Sequence, residues 1–355
     1  STLMRSSAAS DVYKRQHTTM KKTSLQDIAN QLGVSKGTVS LVLSGKAKGG
    51  RISEETCRKV KEMAEKMNYQ PNEIARSLST GMTMSIGVIV TDISNEFFGR
   101  LTFHIQEQAK KYGYTVISTN SNENLQDFED AVSILLNRQI DGIIMVPVDG
   151  GQKIARRVID RHVPLVQIDR CYSDFLANYI IIDNYKSSSE ITKLLIQKGC
   201  RRIAVVCYDI NLNALIERQR GCTDMLKQYG LFDESLVKPI AYENQEEEIK
   251  QTIIDLHKAP RKVDAIFFCS RRVFITGVKY MYEEKIKIPE DMQVVCFDKI
   301  ETFSIANIPI HYIEQPICEI GEKAVDILME QINGSKAIQQ YTLEAQLGFV
   351  DNRPG

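Results

Sequence analysis

Apolar positions along the chain change their period at one place. Between residues 23 and 67 they recur at helical spacing. Leu25, Ile28, Ala29 and Leu32 fall at i, i+3, i+4 and i+7, one face of a short helix. Thr23 with Gln26, or Ser24 with Asp27, offers a capping box at its start, and Gly33 supplies the left-handed stop. Val34 packs back, Ser35 can cap a second helix, and Val39 and Val42 form its buried side. Ser53 caps a third helix over 53–67, with Glu54 and Glu55 in its positive first turn. Cys57, Val60, Ala64 and Met67 make its inner stripe. Two short helices joined by a glycine-containing turn form a helix-turn-helix.

From Met84 onward, short apolar runs alternate with helical periods. The runs predict strands over 86–90, 115–118, 142–146, 165–168, 180–182, 203–206, 265–268 and 294–297. Helical spacing falls between them, over 98–112, 127–138, 187–198, 214–229, 246–257 and 273–284. Three of these helices end alike, in Lys111-Tyr112-Gly113, Gln197-Lys198-Gly199 and Gln228-Tyr229-Gly230. The repeated strand–helix–glycine unit predicts an α/β body on parallel sheets. About eleven strands exceed one comfortable open sheet, so two lobes are expected, with a ligand at the strand carboxyl ends in the cleft between them.

Charge sharpens the division. The 45 basic and 45 acidic side chains cancel, but unevenly. Residues 17–81 hold 11 Lys/Arg against 6 Asp/Glu, whereas residues 82–355 hold 31 against 38. A basic head on an acidic body points to a polyanion-binding module joined to something else. The longest apolar runs fall far short of the roughly 20 residues a bilayer needs, so no membrane partner is expected. The eight cysteines form no Cys-x-x-Cys pair and the five histidines no metal-ligand spacing. They read as buried thiols in a reducing cytosol, with no metal and no cofactor. Residues 1–16 have no apolar core of a secretory signal, and 1–19 look unlike the rest, a terminal tail outside the fold.

A helix-turn-helix is, by itself, only an αα-hairpin. Here the second helix exposes Ser35, Lys36, Gly37, Thr38 and Ser40, short or basic groups that can approach a major groove. Lys46, Lys48 and Arg51 crowd the adjoining loop, where phosphates would lie. Residues 71–81 read as a conditional helix, with Pro71 at its start and Gly81 at its stop, too short to hold alone in water.

These residues carry a resemblance. "SLQDIANQLGVSKGTVSLVLSG" at 24–45 and "RISEETCRKVKEMAEKMNYQPNEIARSLSTG" at 51–81 closely resemble the DNA-binding head of LacI/GalR transcriptional regulators. The match includes Val34-Ser35, Thr38-Val39-Ser40, Asn68-Tyr69, Pro71-Asn72, Ala75 and Leu78. The resemblance implies a helix-turn-helix domain over 20–70, a recognition helix over 35–43, and base contacts from Lys36, Gly37 and Ser40. It extends the DNA-contacting set to Ser24, Ser35, Thr38, Lys46, Lys48, Arg51, Asn72, Ala75 and Leu78. It also implies a hinge helix over 71–81 that orders on the operator, with Leu78 wedged into the minor groove. One departure is Leu41, which stands where many members have Arg.

The resemblance continues to the C-terminus through "DISNEFF" at 92–98, "VQIDR" at 166–170, "IIDNYKSS" at 181–188, "RQRG" at 218–221, "VVCFDKIE" at 294–301 and "EQPICEIGEKAVDIL" at 314–328. It implies a two-lobed, periplasmic-binding-protein-like effector and dimerisation domain over 82–355. The first lobe would comprise about 82–182 and 314–335, the second about 183–313 and 336–355. Phe98, Asp169, Arg170, Arg218 and Asp298 would line the pocket, carboxylates and guanidinium forks against hydroxyls or anions and an aromatic face against a ring. Where the family usually has Asn or Asp after the strand at 265–268, this chain has Cys269-Ser270-Arg271-Arg272. Arg271 in the pocket would favour a sugar acid or sugar phosphate; Arg271 turned outward or paired with a carboxylate would leave a neutral sugar.

The sequence thus predicts a cytoplasmic, effector-controlled transcriptional regulator of carbohydrate genes, a repressor by the resemblance. A homodimer would place two heads on a pseudo-palindromic operator. The alternative is a soluble cytosolic sugar-binding or sugar-processing α/β protein with an incidental head. Enzyme signatures are missing: no phosphate loop of the G-x-x-x-x-G-K type and no G-x-G-x-x-G after a strand occur, and the G-x-S-x-G at 33–37 falls in the turn between two predicted helices, not at a strand-to-helix elbow.

Overall fold

The computed structural model describes residues 23–45, 47, 52–70, 76, 77, 80–300 and 308–351. It divides into two compact units, one ending at Gly81 and the other beginning at Met82. The expected tail at 1–19 lies outside the described residues.

In the first unit, α1 (Leu25–Leu32), α2 (Lys36–Leu43) and α3 (Glu54–Lys66) follow the predicted periods closely. Of the two capping boxes offered by the sequence, the chain forms the one from Ser24 and Asp27. Thr23 instead donates its hydroxyl to the Met67 carbonyl at 2.8 Å, tying the start of α1 to the end of α3. Gly33 takes φ +65°, the left-handed stop that a residue without Cβ adopts freely. Ile28, Ala29, Val39, Val42, Val60 and Ala64 close a small core between the three inner faces. Cys57 and Met67 are only half-buried at its margin. Of the expected hinge at 71–81, only Arg76, Ser77, Thr80 and Gly81 are described. There Gly81 N–H donates to the Ser77 carbonyl at 2.7 Å and Thr80 Oγ1 to the Arg76 carbonyl at 3.0 Å.

In the second unit the described residues build two six-stranded sheets. The first holds β1 (Ser85–Val90), β2 (Thr115–Asn120), β3 (Gly142–Met145), β4 (Leu165–Ile168), β5 (Asn178–Ile182) and, far along the chain, β11 (Gln340–Leu343). Their order is β11-β5-β4-β3-β1-β2. The second holds β6 (Ile203–Tyr208), β7 (Val237–Ile240), β8 (Ala265–Phe268), β9 (Gln293–Phe297), β10 (Ile310–Glu314) and β12 (Gln346–Val350), in the order β12-β10-β9-β8-β6-β7. Every described pairing is parallel except β10 with β12. Helices α4 (Glu96–Lys111), α5 (Leu125–Asn137), α6 (Gln152–Asp160) and α11 (Ile317–Ile332) cover the first sheet. The second is covered by α7 (Asn184–Gln197), α8 (Asn213–Gln228), α9 (Gln245–His257) and α10 (Arg271–Glu283). Helices on both faces explain why β3, β6 and β8 are buried at every position and read as unbroken apolar runs.

The two sheets repeat one plan. In each, the first strand lies between the second and third, so the winding reverses beside β1 in one lobe and β6 in the other. Crevices open at the strand carboxyl ends beside such a reversal. The chain passes between lobes three times, from β5 to α7, from β10 to α11 and from β11 to β12.

The last passage corrects the expected boundary. The resemblance puts residues 336–355 in the second lobe, but Gln340–Leu343 pair in parallel with Tyr179–Ile182 in the first sheet. The segment leaving α11 meets the open edge of β5 before it crosses, and only β12 joins the second lobe.

Candidate functional site

Two sets of residues carry candidate chemistry, one in each unit. On α2, Ser35 is the N-cap: its Oγ accepts the Thr38 N–H at 3.0 Å and shares a hydrogen bond with Thr38 Oγ1 at 2.9 Å. Ser35 and Thr38 are thereby held in the cap, as Ser24 is in the cap of α1. The outward stripe of α2 is Lys36, Gly37, Ser40, Leu41 and Ser44, all exposed. Three of these were expected as base-reading residues; Leu41 and Ser44 complete the stripe. Lys46, Lys48, Arg51, Asn72, Ala75 and Leu78 lie outside the described residues.

The second set lies in the cleft of the second unit, at the strand ends where the topology places it. Asp169 follows β4 and Asp298 follows β9, equivalent strands of the two lobes. Both are buried, and both adopt positive φ, +67° and +94°. Asp accepts this region better than most residues, yet two such positions facing one cleft mark a site.

Around them the guanidinium groups are already paired. Arg170 grips Glu123 bidentately at 2.6 and 3.0 Å and reaches Asp169 at 3.1 Å. Arg218 donates to Asn184 Oδ1 at 2.7 Å and to the Cys269 carbonyl at 3.0 Å, and its guanidinium carbon stands 3.6 Å from the centre of the Phe297 ring. Its remaining nitrogen comes only within 4.0 Å of Asp169. Arg271 is buried, bonded to Glu96 of the first lobe and, at 3.1 Å, to the Lys299 carbonyl. A free third guanidinium, one of the two outcomes foreseen for Arg271, is therefore not what the cleft presents.

Phe98 is buried beneath the cleft, edge-on to Phe97 at 4.9 Å. Tyr208 and Tyr242, edge-to-face at 5.2 Å, add aromatic surface from the second lobe. Gln315, on the second passage, donates to Asp298 Oδ1 at 2.6 Å, while its buried Oε1 finds no partner among the described residues. The cleft encloses about 100 Å³ of open space. Arg271, Asp298 and Gln315 separate it from a second hollow of about 350 Å³.

Burial raises the Asp298 carboxyl to about 6, against the lowering pull of Arg218 and of the Gln315 hydrogen bond. Burial also raises the thiols of Cys200 and Cys222, to about 11 and about 12, which leaves neither a nucleophile at neutral pH. Among the described residues no group of His, Cys, Asp and Glu is placed to hold a metal.

Glu96, Glu123, Asn184 and Gln315 were not foreseen as site residues. Glu96, Asn184 and Gln315 lie inside quoted motifs, a signal that pointed to the segment without the role. Glu123 carried no signal, because its partner Arg170 is 47 residues away.

Comparisons with known proteins agree with this geometry. Residues 24–72 match the family described as bacterial regulatory proteins, lacI family, and residues 192–349 match the periplasmic binding protein-like domain. The chain is 30% identical over 313 residues to the HTH-type transcriptional repressor PurR of Vibrio atlanticus (strain LGP32), covering 87% of this chain and 91% of the relative. It is 30% identical over 311 residues to catabolite control protein A of Staphylococcus xylosus, covering 87% and 92%. Among solved structures, the lac repressor dimer bound to operator and the anti-inducer ONPF superposes with a TM-score of 0.80 at 21% identity, over 92% of this chain and 98% of that one. A transcriptional regulator CelR–cellobiose complex gives 0.67 at 22% identity, over 92% and 98%.

Proposed function

From a chain that belongs to the lacI family of bacterial regulatory proteins, and is thereby a DNA-binding transcriptional regulator under effector control, we propose a repressor whose effector is a neutral sugar or sugar derivative. Two copies associate through the second unit and set their α2 helices in successive major grooves of a pseudo-palindromic operator. Linking two weak heads raises affinity through effective concentration, which a single small basic head does not achieve. The compartment is the cytoplasm, where the operator lies.

One observation carries the choice of effector: three of the four cleft guanidinium groups already answer to a carboxylate of the chain, and the fourth, Arg218, is held by Asn184 Oδ1 and the Cys269 carbonyl. Arg170 has Glu123 and Asp169, Arg271 has Glu96, and Arg272 has Asp92 at 3.6 Å. An anion would have to break one of these pairs, and breaking a buried pair strands a charge. A polyol brings donors and acceptors without charge. Its hydroxyls suit Asp169, Asp298 and the unpartnered Gln315 Oε1, and its ring face suits Phe98 and the tyrosines.

Calorimetry with glucose, gluconate and glucose 6-phosphate, extended to a panel of matched neutral and anionic sugars, tests the class. Neutral members are expected to bind at least tenfold more tightly than their anionic partners. A gel shift on DNA upstream of the chain's own gene tests operator binding, and sedimentation at micromolar concentration tests the dimer. Turnover of a sugar with no sequence-specific shift would return the alternative of a sugar-processing protein.

A further inference from the structure

The outward stripe of α2 has one member that does not fit a polar surface. Leu41 is 46% exposed, and it sits between Ser40 and, one turn earlier, Gly37. A Cβ built on Gly37 would touch only the Ser35 hydroxyl at 3.6 Å, so there is open space along the helix beside Leu41. The inner face of α2 is already complete with Val39 and Val42, so Leu41 is not needed by the core. Single exposed leucines are ordinary on protein surfaces. This one stands at the middle of the face that Lys36, Gly37 and Ser40 present outward.

A major-groove edge shows a protein donors and acceptors at every base pair but apolar surface at one place, the C5-methyl of thymine. Leucine makes no hydrogen bond, so on guanine, cytosine or adenine edges it would bury polar groups without a partner. Against a thymine methyl it loses nothing and removes two apolar surfaces from water.

We infer that Leu41 is a specificity-determining residue that selects a thymine in each operator half-site by contact with its methyl group. The inference rests on the operator-binding reading and adds to it the identity of one base pair. Ser40 and Lys36 remain available for hydrogen bonds to neighbouring edges, and the absent side chain of Gly37 lets the helix approach closely enough for a short leucine to reach.

The test begins with selection of duplexes from a randomised library by the full-length chain. Each thymine of the selected site is then replaced by deoxyuridine, which removes only the methyl. One thymine per half-site is expected to show a loss of about fourfold, the factor carried by one buried methyl-sized group, and about fifteenfold when both half-sites are changed. Leu41→Ala should be insensitive to deoxyuridine at that position. Leu41→Arg should shift the selected base there to guanine. Because Leu41 is exposed, both variants should melt as wild type does. If wild type tolerates deoxyuridine everywhere, or if Leu41→Ala keeps the full sensitivity, the inference is overturned while operator binding stands. A library that yields no enriched site would overturn operator binding, and the role of Leu41 with it.

Discussion

Arg271 of the second lobe is bonded across the cleft to Glu96 of the first. Arg272 faces Asp92 in the same sense at 3.6 Å, and Arg218 approaches Asp169 at 4.0 Å. The lobes are therefore held together by side chains of the protein itself. The open space they leave, about 100 Å³, is below the about 300 Å³ at which small-molecule sites begin.

Arg271→Asn should loosen this closure. It removes the buried guanidinium and leaves Glu96, which is 37% exposed at its side chain and can be solvated. A cost of about 1–2 kcal/mol follows, less than for a fully buried pair, with a fall in Tm of about 2–4 °C. The wall between the two hollows thins as well. Small-angle scattering of the effector-free variant should give a larger radius of gyration than wild type; equal radii would mean the pair does not hold the lobes.

Asp298 predicts a dependence on pH. Its carboxyl ionises near pH 6 in the folded chain, against an ordinary value of 3.8, because burial penalises the charge. Between those values the folded chain retains a proton that the unfolded chain has released. Stability from this group is thus fully present below the unfolded value and lost as pH rises through the folded one, a decline of about 3 kcal/mol. Asp298→Asn removes the ionisation. Its stability relative to wild type should grow between pH 4 and pH 6 and stay level above; urea titrations across that range measure the difference.

Gly221→Ala should be costly for a steric reason. A Cβ there would lie 2.3 Å from the Tyr185 carbonyl oxygen, which belongs to backbone and cannot swing aside. Helices α7 and α8 must separate, at about 1–3 kcal/mol. Arg218 stands one turn before Gly221 and Asn184 next to Tyr185, so their 2.7 Å hydrogen bond is disturbed too. Weaker effector binding should accompany the lower urea midpoint; unchanged affinity would separate the packing from the site.

Leu78→Ala should weaken operator binding roughly tenfold or more while random-sequence DNA binds as before, because a wedge at a base step contributes only on bent DNA. Competition gel shifts give both affinities. Equal losses would make 71–81 a linker.

Elements with undiluted patterns were legible in the sequence. Ile203–Tyr208 and Ala265–Phe268 are buried throughout and show as apolar runs, and Gly113, Gly199 and Gly230 all take positive φ at helix ends. Elements at the margins were not. β7 reads Val-Lys-Pro-Ile, with a proline in an edge strand, and β11 and β12 are mostly exposed or half-buried edges that carry no apolar run. α6, at Gln152–Asp160, is short and carries two arginines. At the site, Asp169 and Asp298 were reached through their motifs. Pairings such as Glu96 with Arg271, 175 residues apart, exist only once the two lobes face each other.

The three passages between lobes set an order of events during synthesis. The helix-turn-helix emerges before either lobe, and its small core needs no residue of them. The first lobe, although begun at β1, lacks its edge strand until Gln340–Leu343 are made, after nearly all of the second lobe. Neither lobe can be released as a finished fragment by cutting the chain once. On the ribosome, then, a head able to touch DNA exists well before the part that answers to a small molecule, and the two lobes reach completion almost together, as Gln340–Leu343 and Gln346–Val350 are made.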